Sequence, residues 1–185
     1  MLLSILGWLL PAVMVFWAVG SYNRLVRLRG QVIAAFAVLE PAIAKQIALA
    51  QSSLPEQSIH GQTRPGNLGD DLDTLWLALR AATGQFSAAL SALRPRPLDA
   101  QNAAAVTAAW AVLEMAWGRL QNEAYDLAGP ALPETLGTQW NTLASQLMPL
   151  RQQFNEAVVR YNKAITQFPA ALLAWTFNFQ SARSL

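Results

Sequence analysis

Apolar positions in this chain form one unbroken run followed by four stripes. From Leu2 to Gly20 the sequence LLSILGWLLPAVMVFWAVG has no charged side chain. At 1.5 Å per residue a helix of that length spans about 28 Å, close to the hydrocarbon core of a bilayer. From Ser21 to about Ser53 the pattern changes. Tyr22, Leu25, Val26, Ile33, Phe36, Leu39, Ile43 and Ile47 recur at a spacing near 3.5, which predicts a long helix packed along its length. Pro41 predicts a kink in this helix, and Pro11 one in the apolar run, where membranes tolerate it.

The remaining stripes predict three further helices. Residues 51–69 are rich in Ser, Pro, Gly and Gln and read as a loop. The acidic cluster Asp70, Asp71, Asp73 suits a helix start, where carboxylates meet free N–H groups and the positive end of the dipole. Leu72, Leu75, Trp76, Leu79, Phe86, Leu90 and Leu93 give that second helix its stripe, and Arg94-Pro95-Arg96-Pro97 stops it. Asp99 opens a third helix with Val106, Trp110, Leu113, Trp117, Leu120 and Leu127 inward, closed by Gly129-Pro130. A fourth begins near Pro133-Glu134 with Leu136, Trp140, Leu143 and Leu147, bends at Pro149, and continues through Phe154, Val158, Tyr161, Ile165 and Phe168. Pro169 lacks an N–H and ends it, leaving Ala170 to Phe179 as a separate apolar arm. No strand pattern competes. The expected fold is all-α: an N-terminal transmembrane helix, residues 1–20, continuing into an antiparallel bundle of four long helices over residues 21–185, with a short C-terminal arm.

One stretch keeps the C-terminal order of an aromatic-Asn pair (Phe154-Asn155), a Val, then Arg160-Tyr161-Asn162, Ile165 and Phe168-Pro169. Another is Tyr22-Asn23-Arg24-Leu25-Val26-Arg27-Leu28-Arg29 with Val32, Ala35 and Phe36 downstream. Both resemble the LemA family, and the resemblance implies a membrane-anchored helical bundle more readily than an activity. It frays after the Tyr22–Phe36 stretch: family members carry paired arginines and a Leu-Ile-Pro stretch where this chain has Lys45-Gln46 and then IALAQSSLPEQ.

Composition agrees with a membrane segment plus one domain, at 54% hydrophobic and 13% charged residues. Ala18-Val19-Gly20 looks loosely like a signal-peptide cleavage site, but no basic residue precedes the run, which favours an uncleaved anchor. Trp17 and Tyr22 suit the membrane–water interface, and Trp8 suits lipid-facing bulk. Arg24, Arg27 and Arg29 follow the run, so the positive-inside rule puts the N-terminus outside and the bundle in the cytoplasm. The expected location is a bacterial cytoplasmic membrane.

Catalytic chemistry finds few candidates. The chain has no cysteine and one histidine, His60, which falls in the loop. A Ser-His-acid triad would rest on a poorly held base. A dimetal carboxylate site needs paired Glu-x-x-His motifs, and haem and zinc lack their usual ligands. Glu114 and Glu123, nine residues apart, face opposite sides of a helix. No enzyme activity and no cofactor is expected, and the scattered basic residues give no nucleic-acid signature.

The polar residues near Tyr161 allow several readings. Tyr22-Asn23 and Tyr161-Asn162 can bridge the first and fourth helices and fix their register, or Asn23, Asn155, Arg160, Tyr161, Asn162, Lys163, Phe168 and Pro169 can offer a patch to a protein partner. Arg24, Arg27, Arg160 and Lys163 can form a basic collar facing anionic headgroups. The arm, with Leu172, Leu173, Trp175, Phe177 and Phe179, can plug the open end of the bundle or touch lipid. The function expected is a scaffold or assembly factor that holds an unidentified partner near the bilayer, with self-association possible. The alternative is a sensor transmitting through the first helix.

Overall fold

A computed structural model describes residues 2–54, 67–128, 134–168 and 170–185, with side-chain positions in 13–54, 73–122, 135–168 and 170–185. The side chains of Trp8, Pro11, Asp70, Asp71, Leu72, Glu123 and Leu127, and the whole of His60, Gly129-Pro130, Pro133 and Pro169, lie outside what is described. Among the described residues five helices follow one another: α1 (Leu2–Ser53), α2 (Asn67–Leu93), α3 (Ala100–Ala128), α4 (Glu134–Thr166) and α5 (Ala170–Thr176). Among the described residues there is no strand. Helix α2 begins three residues before the acidic cluster, so Asp70, Asp71 and Asp73 occupy its first two turns rather than its cap, still close to the positive end of the dipole. Neither Pro41 nor Pro149 breaks its helix.

The inward positions repeat every seven residues in all four long helices. In α1 they are Leu25, Val32, Leu39 and Gln46, flanked by Phe36, Ile43 and Ala50. In α2 they are Leu79, Phe86 and Leu93, with Thr83 and Leu90 beside them. Helix α3 uses Ala103, Trp110 and Trp117 together with Val106, Leu113 and Leu120, and α4 uses Trp140, Leu147, Phe154 and Tyr161. A strict seven-residue repeat keeps one face toward a neighbour along the whole helix, as in a coiled coil. The heptad also corrects part of the expected α1 stripe: Val26 and Ile33 are exposed, while Val32 is fully buried.

Helices α1 and α4 form one antiparallel pair, with Phe36 against Phe154 at 6.0 Å between ring centres and Trp17 against Phe168 at 5.5 Å. Helices α2 and α3 form the other, joined by the turn at residues 94–99. There Asp99 Oδ1 accepts from the N–H groups of Gln101 and Asn102 at 3.0 and 2.8 Å, which is the cap expected of it. Stacked rings of Trp117 and Trp140, 4.2 Å apart, and the Arg151 guanidinium over Trp110 join α3 to α4. Arg94 at the end of α2 donates to Glu40 of α1 through Nε at 3.1 Å and through a second guanidinium nitrogen.

Helix α1 is longer than the bundle. It is long and apolar enough to cross a membrane, and its first fully buried side chain among the described residues is Leu25. Val13, Met14, Val15, Phe16, Trp17 and Val19 are exposed.

Candidate functional site

The polar residues of α4 gather the last nine residues of the chain. Asn155 and Asn162 are seven residues apart, so they stand on one face of α4 and about 10 Å apart along it. The segment after α5 runs back along that face. The amide of Asn162 donates to the Ala182 carbonyl at 2.7 Å and accepts from the Ala182 N–H at 2.9 Å. Asn155 repeats the arrangement on Leu185, at 2.8 and 2.9 Å. Three residues of extended chain also cover about 10 Å, so tail and helix stay in step. The Tyr161 hydroxyl donates to the Gln180 carbonyl at 3.0 Å, and Arg151 Nε donates to the Leu185 carbonyl at 2.8 Å. Ala182 and Leu185 are buried while Arg183 and Ser184 face out.

These contacts change the reading of the site. Asn155, Tyr161 and Asn162 do not bridge α1 to α4; their polar groups are spent on the chain's own tail. A carboxamide carries one donor and one acceptor in the same plane, which makes it the side chain best able to copy a backbone partner. Burial pushes the Tyr161 hydroxyl above its usual pKa of 10.0, and the nearby Arg29 charge offsets this in part. Arg151, Gln180, Ala182 and Leu185 were not legible as site residues. The nearest sequence signal was the seven-residue spacing of the two asparagines.

The turn into the tail has a physical cause as well. Phe179 N–H bonds the Ala174 carbonyl at 2.8 Å and Asn178 N–H reaches the Trp175 carbonyl at 3.4 Å, the pair of bonds that ends a helix in a Schellman motif. Asn178 takes φ of 54°, a left-handed conformation that Asn adopts more readily than other side-chain-bearing residues. Helix α5 is therefore held at its C-terminal end.

Helix α5 packs on both α1 and α4 and buries its small residues. Ala170 and Ala174 are buried, and Leu173 and Phe179 half-buried. Phe168 is 78% exposed and Trp175 82%, with Leu172 and Phe177 also outward. The arm is thus split: Leu173 and Phe179 pack against the core, while Leu172, Trp175 and Phe177 turn out. Tyr22 of α1 meets Phe177 at 5.2 Å and Phe179 at 6.3 Å between ring centres. Asn23, Arg24 and Arg27 are exposed on α1. Arg160 pairs with Glu156 one turn away at 3.6 Å, and Lys163 is exposed in the last turn of α4.

Chemistry beyond these contacts is sparse. Among the described residues no three His, Cys, Asp or Glu side chains group as a metal site. An open groove of about 920 Å³ runs along the outside of α4 between Met148 and Arg160, and a pocket of about 300 Å³ lies between Arg29, the 95–99 turn, Tyr161 and residues 178–180. Among the described residues, two buried atoms, Gln46 Oε1 and Trp117 Nε1, have no hydrogen-bond partner.

Comparison with known proteins gives one finding. A sequence model of the LemA family matches residues 78–185, more than half the chain, including the stretch from Phe154 to Phe168 that grips the tail; the Tyr22–Phe36 stretch lies outside it. No curated protein and no solved structure matches.

Proposed function

We propose that this chain, which belongs to the LemA family, is a membrane-anchored scaffold that stands a rigid helical bundle on the bilayer to hold a protein partner there. The observation that carries this reading is the division of α1. One uninterrupted helix has an apolar stretch, Val13 to Val19, that stays largely exposed apart from the contact of Trp17 with Phe168, and a second stretch from Leu25 to Ala50 that lies in the bundle's core. Apolar side chains left uncovered over successive turns favour a lipid environment. Arg24, Arg27 and Arg29 directly after this stretch favour a cytoplasmic bundle. Exposed apolar side chains at Leu77, Met115, Met148 and Val159 offer contacts to a partner.

The continuity of α1 also supports a second reading, a sensor. A rod shared by membrane and bundle can carry a rotation or shift from one to the other.

Membrane extraction tests the anchor. The chain stays with the membrane through alkaline carbonate, whereas Leu9→Lys with Val13→Lys, each costing about 2.5–3.5 kcal/mol near mid-span, releases a folded helical protein. Retention of the double variant contradicts the anchor. In mild detergent the scaffold reading expects an assembly heavier than one copy with its micelle; a chain found only as a single copy contradicts it.

A further inference from the structure

We propose that α5 with its flanking Phe168 and Phe177 is a second membrane contact, a short helix embedded at headgroup level beside the emerging α1. The proposal rests on the anchor reading above and adds a surface that the anchor does not require. Its first support is the inverted packing of α5. The helix uses alanines to dock and leaves Leu172 and Trp175 outward, with Phe168 and Phe177 extending the same uncovered surface.

Position gives the second support. The Phe168 ring lies against Trp17 and the Phe177 ring against Tyr22, so the outward face of α5 is continuous with the exposed run Val13–Val19 and sits at its bundle end. Any bilayer that covers Val13 to Val19 reaches this face. Trp and Phe are the side chains that favour that depth.

Charge gives the third. No charged residue occurs from Ala164 through Ala182, while Lys163 and Arg183 bracket the segment. Arg24, Arg27 and Lys163 are exposed, and among the described residues none has a carboxylate within 4.0 Å. An apolar patch flanked by such cations matches an anionic lipid surface, where each basic side chain near the headgroups adds attraction. The tail clasp completes the device. With Asn155 and Asn162 holding the chain beyond α5, the helix meets the bilayer already ordered, so little conformational freedom is lost on contact.

The absence of native cysteine permits a direct test. Full-length single-cysteine variants Leu172→Cys, Trp175→Cys, Val15→Cys and Met115→Cys are labelled with an environment-sensitive fluorophore and reconstituted in phosphatidylcholine–phosphatidylglycerol vesicles. Lipids with a nitroxide quencher either near the headgroup or deep in the acyl chain are then compared. The proposal expects 172 and 175 to be quenched more by the shallow lipid than by the deep one, 15 more by the deep, and 115 by neither. If 15 is quenched but 172 and 175 behave like 115, the contact is overturned and the anchor stands. If 15 is unquenched as well, both fail. Labels at 172 and 175 that are shielded from an aqueous quencher yet untouched by either lipid reveal a protein cover, such as a second copy, and also overturn the proposal.

Discussion

The side chain of Asn162 pairs with the backbone of Ala182 through both of its polar atoms, at 2.7 and 2.9 Å. A helix side chain here does what a neighbouring strand does in a sheet. Replacing it by aspartate tests this with almost no change of shape. The carboxylate keeps an acceptor for the Ala182 N–H but has no donor, and it sets a negative charge against the Ala182 carbonyl. Asn162→Asp is expected to cost about 1–3 kcal/mol in chemical denaturation and to speed amide exchange at Ala182 and Leu185. Unchanged exchange there would show that the tail is held by Leu185 and Ala182 packing alone.

Tyr161 makes the clasp sensitive to alkali. Its folded pKa lies above the ordinary 10.0, so the folded state prefers the protonated form. The stabilisation is fully present below pH 10 and disappears as pH rises through the higher folded value. Ionisation also removes the proton donated to Gln180. Wild type is expected to lose stability in this window more steeply than Tyr161→Phe, which has no proton to lose. Parallel slopes for the two proteins would contradict this.

Gln46 occupies a heptad position that Leu25, Val32 and Leu39 fill with hydrocarbon. It is 1% exposed, and its Oε1 has no partner. Gln46→Leu is expected to raise stability by about 1–3 kcal/mol, the usual cost of an unsatisfied buried polar group. Heptad-core polar groups can instead fix register; in that case the variant gains stability but shows a second set of resonances in NMR spectra. A loss of stability would mean that the amide is satisfied in solution.

Asp99 caps α3 through two N–H groups. Asp99→Ala is expected to lower stability by about 1 kcal/mol, and Asp99→Asn, which keeps the accepting oxygen, by much less. Equal losses would assign the effect to charge rather than to the cap.

The bundle was legible because four apolar stripes, two Pro-rich stops and one Asp cap each follow from local chemistry. The α1 stripe falls one residue off at Val32, since Val32 and Ile33 are both apolar and only a partner helix decides which turns in. The clasp was not legible for a different reason. Asn155 and Asn162 meet residues 30 and 20 positions away, and an asparagine on a helix gives no sign of whether its partner is a neighbouring helix, another protein or its own chain. The orientation of α5 was undecided in sequence because Ala170 and Ala174 carry too little hydrophobicity to mark a docking face beside Leu172 and Trp175. Small residues mark where backbones approach, and that signal appears only once the partner, α1, is in place.

A bundle that hangs from a membrane on the cytoplasmic side is tested most directly at Met115. This residue is exposed on α3, far along the chain from the apolar run, so a single cysteine there reports the bundle's compartment. Intact cells carrying Met115→Cys would be treated with a membrane-impermeant maleimide, with permeabilised cells alongside. Labelling only after permeabilisation is the predicted result. Labelling in intact cells would contradict it, and would place the bundle, its basic residues and its partner in the cell envelope.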